Sequence, residues 1–119
     1  MSEPSNGRLR IAAVIGFFGV ALGAFGAHGL RETLEANGRV DVWHTAVFYH
    51  LVHAVVLVVL AIAPGEIRSK AWVCFAAGIA VFSGSLYTLA LTNISVLGAI
   101  TPIGGALFLV GWGILAVKG

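Results

Sequence analysis

Two of the chain's four histidines, His50 and His53, stand three residues apart inside a run that carries no charge. Tyr49 precedes them, and Thr45, Tyr49 and His53 recur at i, i+4 and i+8, which puts them on one helix face. Imidazole can relay protons, ligate borderline metals or hold haem iron. His50 and His53 can reach one centre from adjacent turns, with His28 or His44 nearby, although His44 is out of phase with His53 and fits worst. No Cys, Met or carboxylate joins them, so the metal spacing is weak and no resident metal or cofactor is expected. Hydroxyls follow at Ser83, Ser85, Tyr87 and Thr88, then at Thr101, directly before Pro102. The only acids, Glu3, Glu32, Glu35, Asp41 and Glu66, lie outside the apolar runs. A nucleophilic serine there would lack its orienting carboxylate, so the chain is read as a non-enzyme.

The elements that must position these groups follow from the distribution of charge. Of 119 residues, 59% are hydrophobic and only 10% charged, against about 25% charged in a soluble domain. So short a chain has too much surface to hide that much apolar area from water. Charges are absent from residues 11–30, 42–65 and 71–117, and an uncharged apolar run of about 18 residues is long enough to cross a bilayer. The last run has 47 residues, roughly 70 Å as a helix, so it must fold back. The polar stretch "LTNIS", with Thr92, Asn93 and Ser95, supplies the turn. The expectation is an all-α, four-transmembrane-helix bundle, a single membrane domain over residues 1–119, with spans near 9–28, 43–63, 71–91 and 96–117. The first run is long for a signal-peptide h-region and patterned by glycine, so cleavage is not expected.

Four spans put both termini on one side, together with Arg8, Arg10, Arg68, Lys70 and Lys118, while Arg31 and Arg39 lie on the other. The positive-inside rule then places both termini in the cytoplasm of a bacterial inner membrane. Trp43 and Trp72 open the second and third spans, where interfacial aromatics belong. "LRETLEANG" has Leu30 and Leu34 at helical spacing and Asn37-Gly38 as a stop, which reads as a short amphipathic helix at the outer interface. Basic residues flank the runs and form no patch, so the net charge of +2 is not a nucleic-acid signal. Cys74 reads as a small buried residue, and residues 2–7 (SEPSNG) as a short flexible tail.

Gly16, Gly19, Gly23 and Gly26 form a stripe with a period near 3.5. Membrane helices associate by close packing, and small residues mark the contact face. Span four repeats the idea with Gly98 and Gly105, then Gly104 and Gly111. The tightest helix contacts are therefore expected on spans one and four, within the bundle or between subunits. These glycines are packing, not a phosphate loop, because no strand precedes them.

Counted from the outer ends, the polar residues of the spans fall within roughly the outer 15 Å of the core. The inner halves contribute only Cys74 and the indoles. Polar groups in hydrocarbon need partners, which predicts a shared polar cluster or cavity lined by His28, Tyr49, His50, His53, Ser85, Tyr87, Thr88 and Thr101. Pro102 cannot donate to the Gly98 carbonyl, which predicts freed backbone beside that cluster. Alternatively, Thr45, Ser83, Ser85, Thr88 and Thr101 bond their own helix backbone and do nothing more.

"GAFGAHGL" (23–30), "YHLVHA" (49–54), "FSGSLYTLALT" (82–92) and "LGAITPIGGALFLVGW" (97–112) resemble the small integral membrane proteins of domain-of-unknown-function family 423. The resemblance implies a four-helix inner-membrane protein and supplies no activity, substrate or catalytic residue. It also marks a departure: the family's second-span pattern is Tyr-Gln-x-x-His, so His50 stands where glutamine is common. That disfavours a His50–His53 metal pair and favours a hydrogen-bonded cluster of His28, Tyr49, His53, Tyr87 and Thr101. The leading functional expectation is binding or transport of a small solute or ion through an outer-half pocket, in a homo-oligomer or beside a membrane-protein partner. An accessory subunit of a larger membrane complex, or a metal or haem protein using His28, His50 and His53, remain the alternatives.

Overall fold

The computed structural model describes residues 7–63 and 65–119. The tail expected at residues 2–7 lies outside them except for Gly7, as does Pro64. The described chain is helical: α1 (Gly7–Ala27), α2 (Arg31–Asn37), α3 (Val40–Ile62), α4 (Glu66–Gly78), α5 (Gly84–Thr92) and α6 (Thr101–Lys118). A π-helical turn, Ile79–Ser83, joins α4 to α5, and a 3₁₀ turn, Ser95–Ala99, leads into α6. Four stretches are long and apolar enough to cross a membrane: Gly7–Ala27, Val40–Ile62, Glu66–Thr92 and Ser95–Lys118. They match the four expected spans with boundaries shifted by one to five residues, outward except at the ends of spans one and two, which fall one residue short.

The two predicted breaks form for the expected reasons. Gly38 ends α2 in the left-handed region at φ 67°, where the Arg39 N–H reaches back to the Leu34 carbonyl at 2.9 Å. Asn93 ends α5 at φ 58°, and its N–H bonds the Leu89 carbonyl at 2.7 Å. The two loops meet: Arg39 Nε donates to Asn93 Oδ1 at 2.9 Å, and Asn37 Nδ2 to the Ala90 carbonyl at 2.9 Å. Helix α2 has one buried face. Leu34 packs with Trp43 and Ala90, while Arg31 and Glu35 pair at 2.7 Å on the exposed side.

The spans pack in chain order, one on two, two on three and three on four, as a slab 55 × 25 × 16 Å in extent. The glycine stripe of α1 is the seam with α3. A Cβ at Gly19 would lie 2.6 Å from Leu51 Cδ2, one at Gly23 would lie 3.2 Å from Val47 Cγ1, and one at Gly26 would enter the Trp43 indole. The seam between spans three and four rests on Gly78, Gly104 and Gly111, which receive Phe108, Phe82 and Phe75. Gly98 and Gly105 stand beside that seam, where an added Cβ would meet Leu89 and Phe82 only at an ordinary 3.9 Å.

Two local readings change. Trp43 and Trp72 are buried in the protein, because each indole fills space between helices rather than facing lipid. Trp43 Nε1 donates to the Leu22 carbonyl at 2.9 Å. Pro102 lies in the first turn of α6, where its missing N–H would have no intrahelical partner in any case. The discontinuity of span four is the 3₁₀-to-α junction at Ile100 and not a proline-broken helix.

Candidate functional site

The polar residues of the spans form three separate pairings, two of them on α3, and not one cluster. The first joins spans one, two and three. His50 Nε2 lies 2.7 Å from the Ile15 carbonyl and Nδ1 lies 2.8 Å from the Tyr87 hydroxyl. A carbonyl only accepts, so Nε2 carries the proton and donates, and Nδ1 of the neutral ring accepts from Tyr87. The sequence brings them together through glycine: the His50 ring approaches α1 at Gly19, where a Cβ would stand 3.1 Å from its Cδ2.

The second pairing joins spans two and four. His53 Nδ1 is 2.8 Å from the Tyr49 carbonyl, and Nε2 is 3.1 Å from Trp112 Nε1. An indole only donates, so Nε2 accepts and Nδ1–H donates. As neutral rings the two histidines take opposite tautomers, each with both nitrogens engaged. His53 also stacks on Phe108, with centroids 3.9 Å apart and planes 9° apart. Tyr49 packs on Phe82 at 4.7 Å, and Phe82 on Phe108 at 5.4 Å.

The third pairing joins the hydroxyls of Ser85 and Thr101 at 2.7 Å across α5 and α6. Ser83, in the π turn, donates to the Ala46 carbonyl at 2.8 Å. Thr88 donates to its own Gly84 carbonyl at 2.8 Å, as the plain helical reading expects. His28 is exposed on the turn after α1, and His44 and Thr45 are exposed on α3. Of the cluster expected from the resemblance, Tyr49 and His53 are neighbours, Tyr87 pairs with His50, Thr101 pairs with Ser85, and His28 stands apart.

A groove of about 440 Å³ opens beside the second pairing, lined by Tyr49, His53, Phe82, Pro102, Gly105, Ala106, Phe108, Leu109 and Trp112. It runs from the first turn of α6 at Pro102 to its last two turns at Trp112. Tyr49 is 38% exposed, and its hydroxyl makes no hydrogen bond with any described residue. Among the described residues, no three His, Cys, Asp or Glu side chains gather closely enough to hold a metal.

Phe82, Phe108 and Trp112 were not singled out from the sequence. Phe108 and Trp112 are one turn apart on the α6 face that carries Gly104 and Gly111, which was the available signal. The π turn had no sequence signal; such turns recur at functional sites, and this one presents Phe82 to the groove.

A family model for a protein of unknown function, DUF423, matches residues 22–105. The chain belongs to this family. The "UPF0382 membrane protein YwdK" of Bacillus subtilis is 44% identical over 113 residues, covering 90% of this chain and 90% of the relative. The "UPF0382 inner membrane protein YgdD" of Escherichia coli is 41% identical over 116 residues, covering 92% and 86%. No solved structure matches the chain. This DUF423 member is therefore a polytopic membrane protein. The matched region holds Tyr49, His50, His53, Tyr87 and Thr101 and ends before Phe108 and Trp112.

Proposed function

We propose that this protein binds a small, neutral, membrane-soluble molecule in the groove between spans two and four. One observation carries the reading: the groove is walled by aromatic rings, and its Tyr49 hydroxyl has no partner among the described residues. A hydroxyl at membrane depth is costly to leave unpaired, and a ligand with one acceptor relieves that cost. The lining carries no formal charge, which fits a neutral amphiphile better than an ion. Ion passage finds less support, because His50, His53, Ser83, Ser85, Tyr87 and Thr101 direct their hydrogen bonds to one another or to backbone. Metal or haem ligation is similarly disfavoured: a ligating nitrogen would have to displace Tyr87 or Trp112.

The orientation rests on charge. Arg8, Arg10, Arg68, Lys70 and Lys118 at the terminal face outnumber Arg31 and Arg39 at the α2 face, which supports cytoplasmic termini in an inner membrane. On that orientation the groove starts in the outer half and crosses the midplane. The apolar faces of spans one and four, with Phe17 and Val20 on one and Leu109 and Val117 on the other, are exposed and suit lipid, a second copy or a membrane-protein partner.

The test is extraction of the protein with its surrounding lipid, followed by mass spectrometry of the organic-soluble fraction. A small molecule enriched with the wild type should be lost with Gly105→Leu, which fills the groove, and reduced with Tyr49→Phe. Identical extracts from all three proteins would refute the proposal.

A further inference from the structure

A second polar site lies at the opposite end of the molecule from α2, where α1 and α4 begin. Arg8 of α1 reaches across to α4. Its Nη1 donates to Ser69 Oγ, and its Cζ lies 5.4 Å from the centroid of the Trp72 ring. Arg8, Glu66, Ser69, Lys70 and Val73 line a cavity of about 370 Å³. Among the described residues, no carboxylate lies within ion-pair range of Arg8, and Glu66 is 3.8 Å from Lys70.

The guanidinium is held in place, and the described residues use little of its bonding capacity. It has five N–H donors, and among the described residues Ser69 takes one of them. Because Ser69 Oγ accepts from Arg8, its own O–H remains free to donate. A fixed guanidinium fork, a hydroxyl donor and a nearby ammonium match the oxygens of a phosphate. The lining is also two-sided in chemistry: Arg8, Glu66, Ser69 and Lys70 are polar, while exposed Val73 continues down the apolar surface of span three. A free phosphate has no use for that apolar wall, whereas the first methylenes of an acyl chain do.

We propose that this cavity binds the headgroup phosphate of an anionic phospholipid. Arg8 is its bidentate donor, Ser69 donates one hydrogen bond and Lys70 adds the second cation. The bound lipid bridges the start of span one to the start of span three, which Arg8 already joins through Ser69 and Trp72. The site is independent of the groove between spans two and four.

Native mass spectrometry of the detergent-solubilised protein tests this. Phosphatidylglycerol and phosphatidylcholine are titrated in parallel, with inorganic phosphate as competitor. The wild type should retain phosphatidylglycerol over phosphatidylcholine. Arg8→Gln should weaken that retention at least about tenfold, since each of the two charge-assisted hydrogen bonds it removes is on that scale. Arg8→Lys should fall between the two, because an ammonium lacks the fork. Arg31→Gln, at the other face, should change nothing. Lys70→Gln alters an exposed side chain and should reduce retention by a smaller factor, which keeps the test informative if Arg8→Gln fails to fold. Equal retention of the two lipids, or retention untouched by both Arg8→Gln and Lys70→Gln, would overturn the proposal. Displacement of the lipid by inorganic phosphate would overturn the lipid assignment in favour of a free anion.

Discussion

Replacing Gly104 by alanine should be among the most damaging single-methyl changes in the molecule, while the same change at Gly105 should be nearly silent. At Gly104 the new Cβ would meet the backbone N of Phe82 first and would stand 2.6 Å from both its Cα and Cβ, against an ordinary contact of 3.4–4 Å. Spans three and four would have to part by more than about 0.8 Å, the gap at Cα and Cβ alone, to restore the lower limit. The obstacle is backbone of the π turn, so no side-chain rotation can absorb it. Parting the helices also loosens the Phe82–Phe108 contact, now at 5.4 Å. Overpacking costs about 1–3 kcal/mol, and a backbone obstacle puts Gly104→Ala at the upper end, about 3 kcal/mol. At about 1.4 kcal/mol per factor of ten, that is more than a hundredfold in the folding equilibrium. A Cβ at Gly105 would meet only Phe82 Cδ2, at 3.9 Å, and should shift stability by less than about 0.5 kcal/mol. Both substitutions make the same change in helix propensity, so the difference between them isolates packing. Unfolding in mixed micelles of increasing sodium dodecyl sulfate, followed by tryptophan fluorescence and circular dichroism, gives the comparison. Equal midpoints for the two variants would refute the reasoning, since the seam would then not be set by Gly104.

Tyr87→Phe strips His50 Nδ1 of its donor and should cost about 1–3 kcal/mol in the same unfolding assay. Thr88→Val, which removes only a back-bond to Gly84, should stay within about 0.5 kcal/mol of wild type. His50→Gln should be tolerated far better than His50→Leu, because an amide offers one acceptor for Tyr87 and one donor for the Ile15 carbonyl; equal losses in the two melting temperatures would count against the assigned pairing. Ser85→Ala combined with Thr101→Val should show a coupling of about 0.5–1.5 kcal/mol in a double-mutant cycle, and additive losses would mean that the 2.7 Å contact contributes nothing.

Much of the fold was legible because membrane insertion restricts the choices. Uncharged runs located the spans, and left-handed Gly38 and Asn93 fell at the two expected breaks. The stripe Gly16, Gly19, Gly23 and Gly26 marked a real seam, but a stripe cannot name its partner; that needed Trp43, Val47 and Leu51 of α3 in place. The candidate site was legible in its residues and not in its pairings. Counting depth placed the polar side chains in similar layers of the membrane, but depth says nothing about which side of a helix each one occupies. Azimuth around α3 separates His50, turned toward α1, from His53, turned toward α6. Trp112 escaped notice for a related reason: an indole in the apolar half of a span looks like bulk until an acceptor is found opposite its N–H. The π turn at Ile79–Ser83 has no marker in composition, since Ile, Ala, Val, Phe and Ser would serve an α-helix as well.

The pairings also narrow what kind of chemistry the interior can support. In hydrocarbon an unpaired polar group is costly, so a paired one is the default and carries little functional information. His50 and His53 pass that ordinary requirement: each ring has one donor and one acceptor, and each is used within the protein. What they contribute is position, since both pairings tie α3 to the helix beside it. The Tyr49 hydroxyl does not meet the requirement, although it belongs to the residue whose own carbonyl holds His53. One turn of α3 therefore presents a locked imidazole and an unpaired phenol to the same aromatic groove. His53 stacked on Phe108 forms a wall held by the protein's own contacts, and beside it the Tyr49 hydroxyl has no hydrogen-bond partner among the described residues, which is why the proposed ligand is placed there.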